Sequence, residues 1–105
     1  MIKFNTAKPR VKRSSKWPAL RKRFLKDNFC RVCGGRSKLE AHHIVTFHDD
    51  PSRELDESNL IALCEAHKCC NCHCLIGHLG NYKSHNVDVV IDAARWFNRL
   101  QKRPL

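Results

Sequence analysis

Two consecutive histidines, His42 and His43, end a short apolar run, with a Cys-x2-Cys pair before them and Asn59 and His73 after them. Successive side chains of an extended chain point to opposite faces, so on a strand one imidazole can hold a metal ion while the next activates a water beside it. A histidine with its ordinary pKa of about 6.5 is a good general base at neutral pH. Asn59 is placed to orient the second histidine through its amide, and His73, early on a following helix, can complete the metal shell. Cleaving a phosphodiester needs such an activated water, and a cation to neutralise charge on the phosphate and the leaving oxygen. A His-His pair alone is a weak signal; bracketed by cysteine pairs, Asn59 and His73, the combination is specific.

The cysteines suggest a separate role. Cys30-x2-Cys33 followed by Gly34-Gly35 reads as a zinc knuckle, the glycines permitting the tight turn that points both sulfurs inward. Cys64 supplies a third thiolate. The fourth ligand is open: His67 has the usual short spacing from Cys64, Cys69 and Cys70 are alternatives, and Cys72 would close an all-thiolate site through a longer loop. Disulfides are the rival use. The segment MIKFNTAKPRVKRSSKW has no apolar core or cleavage pattern of a secretory signal, and the seven cysteines are odd in number. A reduced, cytoplasmic protein whose cysteines bind metal is therefore expected.

Composition bounds the partners. One domain is expected from 105 residues, small enough to need a staple. The 20 Lys and Arg against 10 Asp and Glu give a net charge of +10, which suits a polyanion, nucleic acid above all. No membrane is expected as a partner, since no segment has the apolar length to span one and no strongly amphipathic membrane-type helix accompanies the charge.

The elements that must position these residues follow from pattern. Residues 1–15 read as a basic flexible arm and 16–105 as the single domain. A first helix is expected from Trp17 to Lys26, capped by Ser15, with Pro18 in its first turn, Trp17, Leu20 and Phe24 on one face and Arg21, Lys22 and Arg23 on the other. Lys12, Arg13, Arg21, Lys22 and Arg23 are the candidate DNA contacts. Leu39–Ala41 leads as a strand into His42-His43, with Ile44 and Val45 continuing the extended run. Residues 46–58 form a polar loop broken by Pro51, and Leu60–Leu63 is a second strand closed by Cys64. A last helix is expected over 87–102, with Asn86 as N-cap and Val87, Val90, Ile91, Ala94 and Phe97 facing the core.

The runs Leu39-Glu-Ala-His-His-Ile-Val45, Asp56-Glu-Ser-Asn-Leu-Ile-Ala-Leu-Cys64 and Asn71-Cys-His73, with Cys30-x2-Cys33 before them, resemble the HNH nuclease family over residues 28–80. The resemblance implies an α+β fold of ββα-metal (His-Me finger) type, two short antiparallel strands and a helix around one divalent ion. It makes His43 the general base, Asn59 the middle residue of the family name, and His42 and His73 metal ligands. His78 lies one residue later than a fully regular second histidine and is carried as a further ligand. In the family pattern two late cysteines stand two residues apart with a histidine next. Here Cys64-x2 leads to His67, so the compact match fails, and Cys72-His73 restores it if residues are inserted; Cys72 is preferred to His67. Glu40 is a candidate partner for His42. His48 and His85, with Asp49 and Asp50, are expected to be solvated.

The resulting expectation is an endonuclease acting on DNA with catalytic Mg²⁺ or a similar divalent ion and structural Zn²⁺, leaving 3′-hydroxyl and 5′-phosphate ends. A monomer that nicks and a homodimer that cuts both strands are both open. The rival class, a zinc-stabilised DNA-binding module without cleavage, accounts for charge and cysteines but leaves His42, His43, Asn59 and His73 unexplained.

Overall fold

The computed structural model describes residues 12–66 and 70–102. Most of the expected basic arm, residues 1–11, and the alternative ligands His67 and Cys69 lie outside the described residues. The architecture is α+β: a two-stranded antiparallel sheet, short helical turns, and a longer helix near each end.

Helix α1 spans Trp17–Lys26, with Pro18 in the first turn, where its missing N–H costs nothing. Its cap differs from expectation. Lys16 occupies the N-cap position without a side-chain bond, and Ser14, rather than Ser15, accepts from the Lys16 amide at 3.1 Å. Asp27 ends the helix, and the Asn28 amide donates to the Phe24 carbonyl at 2.7 Å. The chain then makes the Cys30–Gly35 knuckle, closed by Cys30 N to Gly35 O and Gly34 N to Cys30 O, both 2.8 Å. Gly34 turns it at φ +79°, a conformation open to glycine at no steric cost.

Strand β1 (Leu39–His43) pairs with β2 (Leu60–Cys64) in a register that sets His42 opposite Ile61 and His43 opposite Leu60. β1 ends at His43 and the chain bends at Ile44 and Val45, short of the expected extended run. The loop between the strands holds two 3₁₀ turns, Pro51–Arg53 and Glu57–Asn59, capped by Asp50 and Asp56. All five β2 residues are buried. The continuous apolar run of β2 thus belongs to the core, where Ile61 and Leu63 pack with Val32, Val89 and Ala93 and with Cys30, Cys64 and Cys72. A small domain has little apolar volume to bury, and here three cysteines are part of it.

After Cys72 comes a single π-helical turn, His73–Gly77, at the place where the resemblance implies a helix. Helix α2 spans Val89–Gln101, two residues later at its start than the pattern indicated. Asn86 is not its N-cap. It is buried and ties α2 to the π turn, its amide donating to Ile76 O (3.0 Å) and Asp92 Oδ2 (2.9 Å) while its oxygen accepts from Asp88 N. The stripe facing the core is also different: Val89 and Ala93 are buried, whereas Val87, Val90, Ile91 and Ala94 are exposed. Among the described residues no helix is long and apolar enough to cross a membrane.

Candidate metal centres and catalytic cleft

Four sulfurs converge between the knuckle, the end of β2 and the start of the π turn. The Sγ atoms of Cys30, Cys33, Cys64 and Cys72 all lie within 4.8 Å of one another. Cys33 and Cys64 are 3.7 Å apart, and all four are free thiols. That separation is far beyond the ~2.05 Å of a disulfide. It matches the ~3.8 Å edge of a tetrahedron built on Zn–S bonds of ~2.3 Å. Cys30, Cys64 and Cys72 are buried. Their acidities diverge as crowding demands. The hydrogen bond with Cys72 pulls the Cys30 thiol well below its ordinary range, the same contact drives Cys72 up, and burial drives Cys33 up. Four sulfurs this close cannot all ionise without a cation among them. The cluster can hold a metal ion, and its donor set is consistent with zinc.

One residue beyond Cys72, the chain enters a second cluster. Nitrogens of His42, His73 and His78 also lie within 4.8 Å of one another. His73 Nε2 is 3.1 Å from His42 Nδ1 and 3.2 Å from His78 Nε2. The outer nitrogens show which inner ones are bare. His78 Nδ1–H donates to Ser84 O at 2.8 Å, because a carbonyl only accepts, and His73 Nδ1–H points to Glu65 Oε1 at 3.3 Å. In neutral rings this leaves the Nε2 lone pairs of His73 and His78 facing each other and His42. An outer N–H held by a carbonyl or carboxylate is the usual support of a metal-bound histidine. His42 is 4% exposed, and its Nε2 is buried without a partner. Burial first, then the neighbouring rings of His73, His78 and His85, pushes its pKa down to about 3; burial and His78 lower His73. The rings of His42 and His73 are therefore neutral near pH 7, the form that binds metal.

His43 leaves β1 on its other side. Its ring lies 4.6 Å from Trp17, and Nε2–H donates to Glu54 O at 3.0 Å, which in the neutral ring leaves the Nδ1 lone pair bare. His42, His43, His73, His78, His85 and Arg13 nevertheless share one cleft of about 230 Å³. A larger cavity lies elsewhere, but this is the one into which the histidines converge.

Several residues take roles the sequence did not suggest. The Asn59 amide does not touch His43. It is fully buried and clasps Val45, accepting from its N–H at 2.8 Å and donating to its carbonyl at 3.0 Å, with a longer contact to Arg53 O at 3.4 Å. Asn59 thus holds the loop that carries the Glu54 carbonyl, and reaches His43 only through backbone. Glu40 does not orient His42; it receives a bidentate pair from Arg21, at 2.9 and 2.8 Å. His85 is not solvated: its ring stacks on His42 at 5.3 Å and Nε2–H donates to Ile44 O. His48 is exposed, as expected. Glu65 was missed because its role depends on where β2 delivers it beside the π turn. Gly77 carried a signal, a glycine within an apolar run. A Cβ there would come within 3.1 Å of His42 Cε1 and Leu63 Cδ1, so glycine lets the π turn approach without displacing either side chain by a few tenths of an ångström.

The expected DNA contacts are scattered in state. Lys12 and Lys22 are exposed. Arg21 is paired with Glu40, and Arg23 lies 3.6 Å from Glu57. Arg13 sits 4.2 Å over the Phe47 ring and 3.8 Å from Glu54, at the cleft. Comparisons with family models, curated proteins and solved structures returned no match to this chain.

Proposed function

We propose that this protein is a metal-dependent endonuclease that hydrolyses DNA phosphodiester bonds, its β1, β2 and π turn serving as the ββα-metal unit and its four cysteines holding a structural zinc. One observation carries the reading. Adjacent histidines on β1 are divided between two tasks, His42 in a converging set of three imidazoles and His43 in the same cleft with one nitrogen held and the other bare.

His42, His73 and His78 would hold the catalytic ion. Bound there, a divalent cation supplies Lewis-acid stabilisation of the charge that builds on the phosphate and the leaving oxygen. Mg²⁺ prefers oxygen ligands, whereas three imidazoles suit zinc or another first-row transition ion. A transition metal is therefore favoured over Mg²⁺. His43 Nδ1 takes the proton of the attacking water, and the positive charge that His43 gains is stabilised by the Glu54 carbonyl on its Nε2–H. Trp17 fixes the ring plane, and Asn59 fixes the loop. Arg13 supplies a positive charge at the mouth of the cleft, and Phe47 beneath its guanidinium limits its freedom. The net charge of +10 favours the polyanionic substrate.

The competing reading is a zinc-stabilised DNA-binding module. A supercoiled-plasmid nicking assay separates the two. Protein stripped of loosely held metal, then given Zn²⁺, Mn²⁺, Ni²⁺ or Mg²⁺ in turn, should nick DNA with at least one transition ion and stop on addition of EDTA. Plasmid that is bound but left intact under every ion would establish the binding module instead.

A further inference from the structure

Helix α2 has an apolar face that the other described residues leave largely exposed. Val90 is 50% exposed and Ile91 54%, Ala94 is exposed beside them, and Val87, just before the helix, is 79% exposed. At 100° per residue Val90, Ala94 and Ile91 span one sector of the helix about 100° wide, with Ile91 farthest from the buried Val89 and Ala93. Beside this face runs a groove of about 520 Å³, walled by Phe24, Phe29, Leu60 and Phe97 together with Val90 and Ala94. It holds no convergent titratable groups, and the three-histidine cleft is a different cavity. Among the described residues, nothing supplies the surface for which this apolar stripe is suited.

The charges along α2 indicate what that surface is. Asp88 and Asp92 stand at its N-terminal end, and Arg95, Arg99 and Lys102 toward its C-terminal end, on one shoulder of the apolar stripe. Such an order suits the helix macrodipole by itself. It also makes the helix self-complementary. Laid antiparallel against a copy of itself, α2 sets Asp88 opposite Arg99 and Asp92 opposite Arg95, each pair occurring twice, with the Val90, Ile91 and Ala94 surfaces meeting between them. A parallel pairing would carry the two charged shoulders to opposite sides of the interface, where neither meets the other. A twofold axis generates the antiparallel arrangement and closes after two copies. The groove beside α2, walled by Phe24, Phe29 and Phe97, extends the apolar surface beyond a single helix.

We propose that this face is the docking surface for a second copy of the chain, with the two α2 helices packed antiparallel about a twofold axis. The pairing is independent of the cleft chemistry, since no cleft residue takes part in it.

Sedimentation velocity on the zinc-loaded full chain tests it. Wild type should shift from monomer to dimer as concentration rises. Ile91→Glu should weaken association by at least about tenfold, because the carboxylate would be buried in an apolar contact. Asp88→Arg and Arg99→Asp should each dissociate the dimer, and an equimolar mixture of the two should form a heterodimer. In that mixture the guanidinium introduced at position 88 of one chain faces the carboxylate introduced at position 99 of the other. The native side chains left at the same two positions, Arg99 of the first chain and Asp88 of the second, form the other pair. Unchanged zinc content and melting in each variant will show that the fold is intact. A wild type that stays monomeric at every concentration, an Ile91→Glu chain that dimerises like wild type, or single variants that fail to combine on mixing would each overturn the proposal.

Discussion

Cys72 and His73 are neighbours in the chain but serve two clusters of opposite character. The cysteine side is closed: Cys30, Cys64 and Cys72 are buried, and the sulfurs belong to the same core as Ile61, Leu63 and Val89. The histidine side is open: His73 and His78 are only partly buried and line a cleft that also receives His43 and Arg13. Thiolate donors sunk in apolar packing suit an ion that never leaves, and imidazoles at a cleft suit one that must still meet a ligand. The difference teaches that one peptide unit is enough to separate a buried sulfur cluster from an open imidazole cluster, provided it turns one side chain into the core and the next into the cleft.

The largest expected effect falls on the closed side. Cys64→Ser should remove zinc and unfold the domain, because in small metal-stapled domains binding free energy is folding free energy. Zinc analysis and circular dichroism would check this, and a zinc-free variant with an unchanged cooperative melt would show that the sulfurs do not staple the core. His43→Ala should leave zinc content, folding and DNA binding intact while cutting cleavage by about 100-fold or more, the usual contribution of a general base. Turnover near that of wild type would remove His43 from the reaction.

His73→Ala should sharpen the division further. It removes the nitrogen that lies 3.1 and 3.2 Å from the other two, so affinity for the second ion should fall steeply while the four-sulfur site keeps its zinc. Metal titration by calorimetry reads both sites, and loss of zinc from the sulfurs would mean that the clusters are one unit. Glu65→Gln, which weakens the support behind His73, should cost about tenfold in the same affinity.

Acid should act on the histidine side through His42. The folded chain holds its pKa down to about 3, whereas the unfolded chain takes a proton near 6.5. Folding therefore forgoes a proton in that interval. The contribution is intact above about pH 6.5 and is lost progressively as pH falls toward about 3. Melting midpoints across that range should fall less steeply in His42→Phe than in wild type, and equal slopes would refute the linkage. The smallest change expected is for Gly77→Ala. The new methyl displaces the His42 and Leu63 side chains by a few tenths of an ångström, which costs about 1 kcal/mol, the low end for overpacking. Thermal melting of the metal-loaded variant would measure it.

Much of this was legible in local pattern. Helix α1 follows from Pro18 and the spacing of Trp17, Leu20 and Phe24. The β1–β2 pair follows from two short apolar runs, and the knuckle from Cys-x2-Cys with Gly34 behind it. These features are set by steric and hydrogen-bonding preferences that act over a few residues, so the sequence by itself determined them. It also restricted the fourth ligand to residues 67–72, leaving His67 and three cysteines open, and the structure brings Cys72 to the other three. What only the tertiary structure decided involves groups far apart in the chain. The Asn59 amide reaches Val45 and not His43, Glu40 is taken by Arg21, and His85 is carried onto His42 by the segment that Asn86 ties to the π turn. In α2, periodicity correctly announced an amphipathic helix but not the direction of its stripe. A period of 3.6 residues fixes which side chains lie together, whereas the surface they meet depends on how the helix docks, and docking through Val89 and Ala93 left Val90 and Ile91 outside.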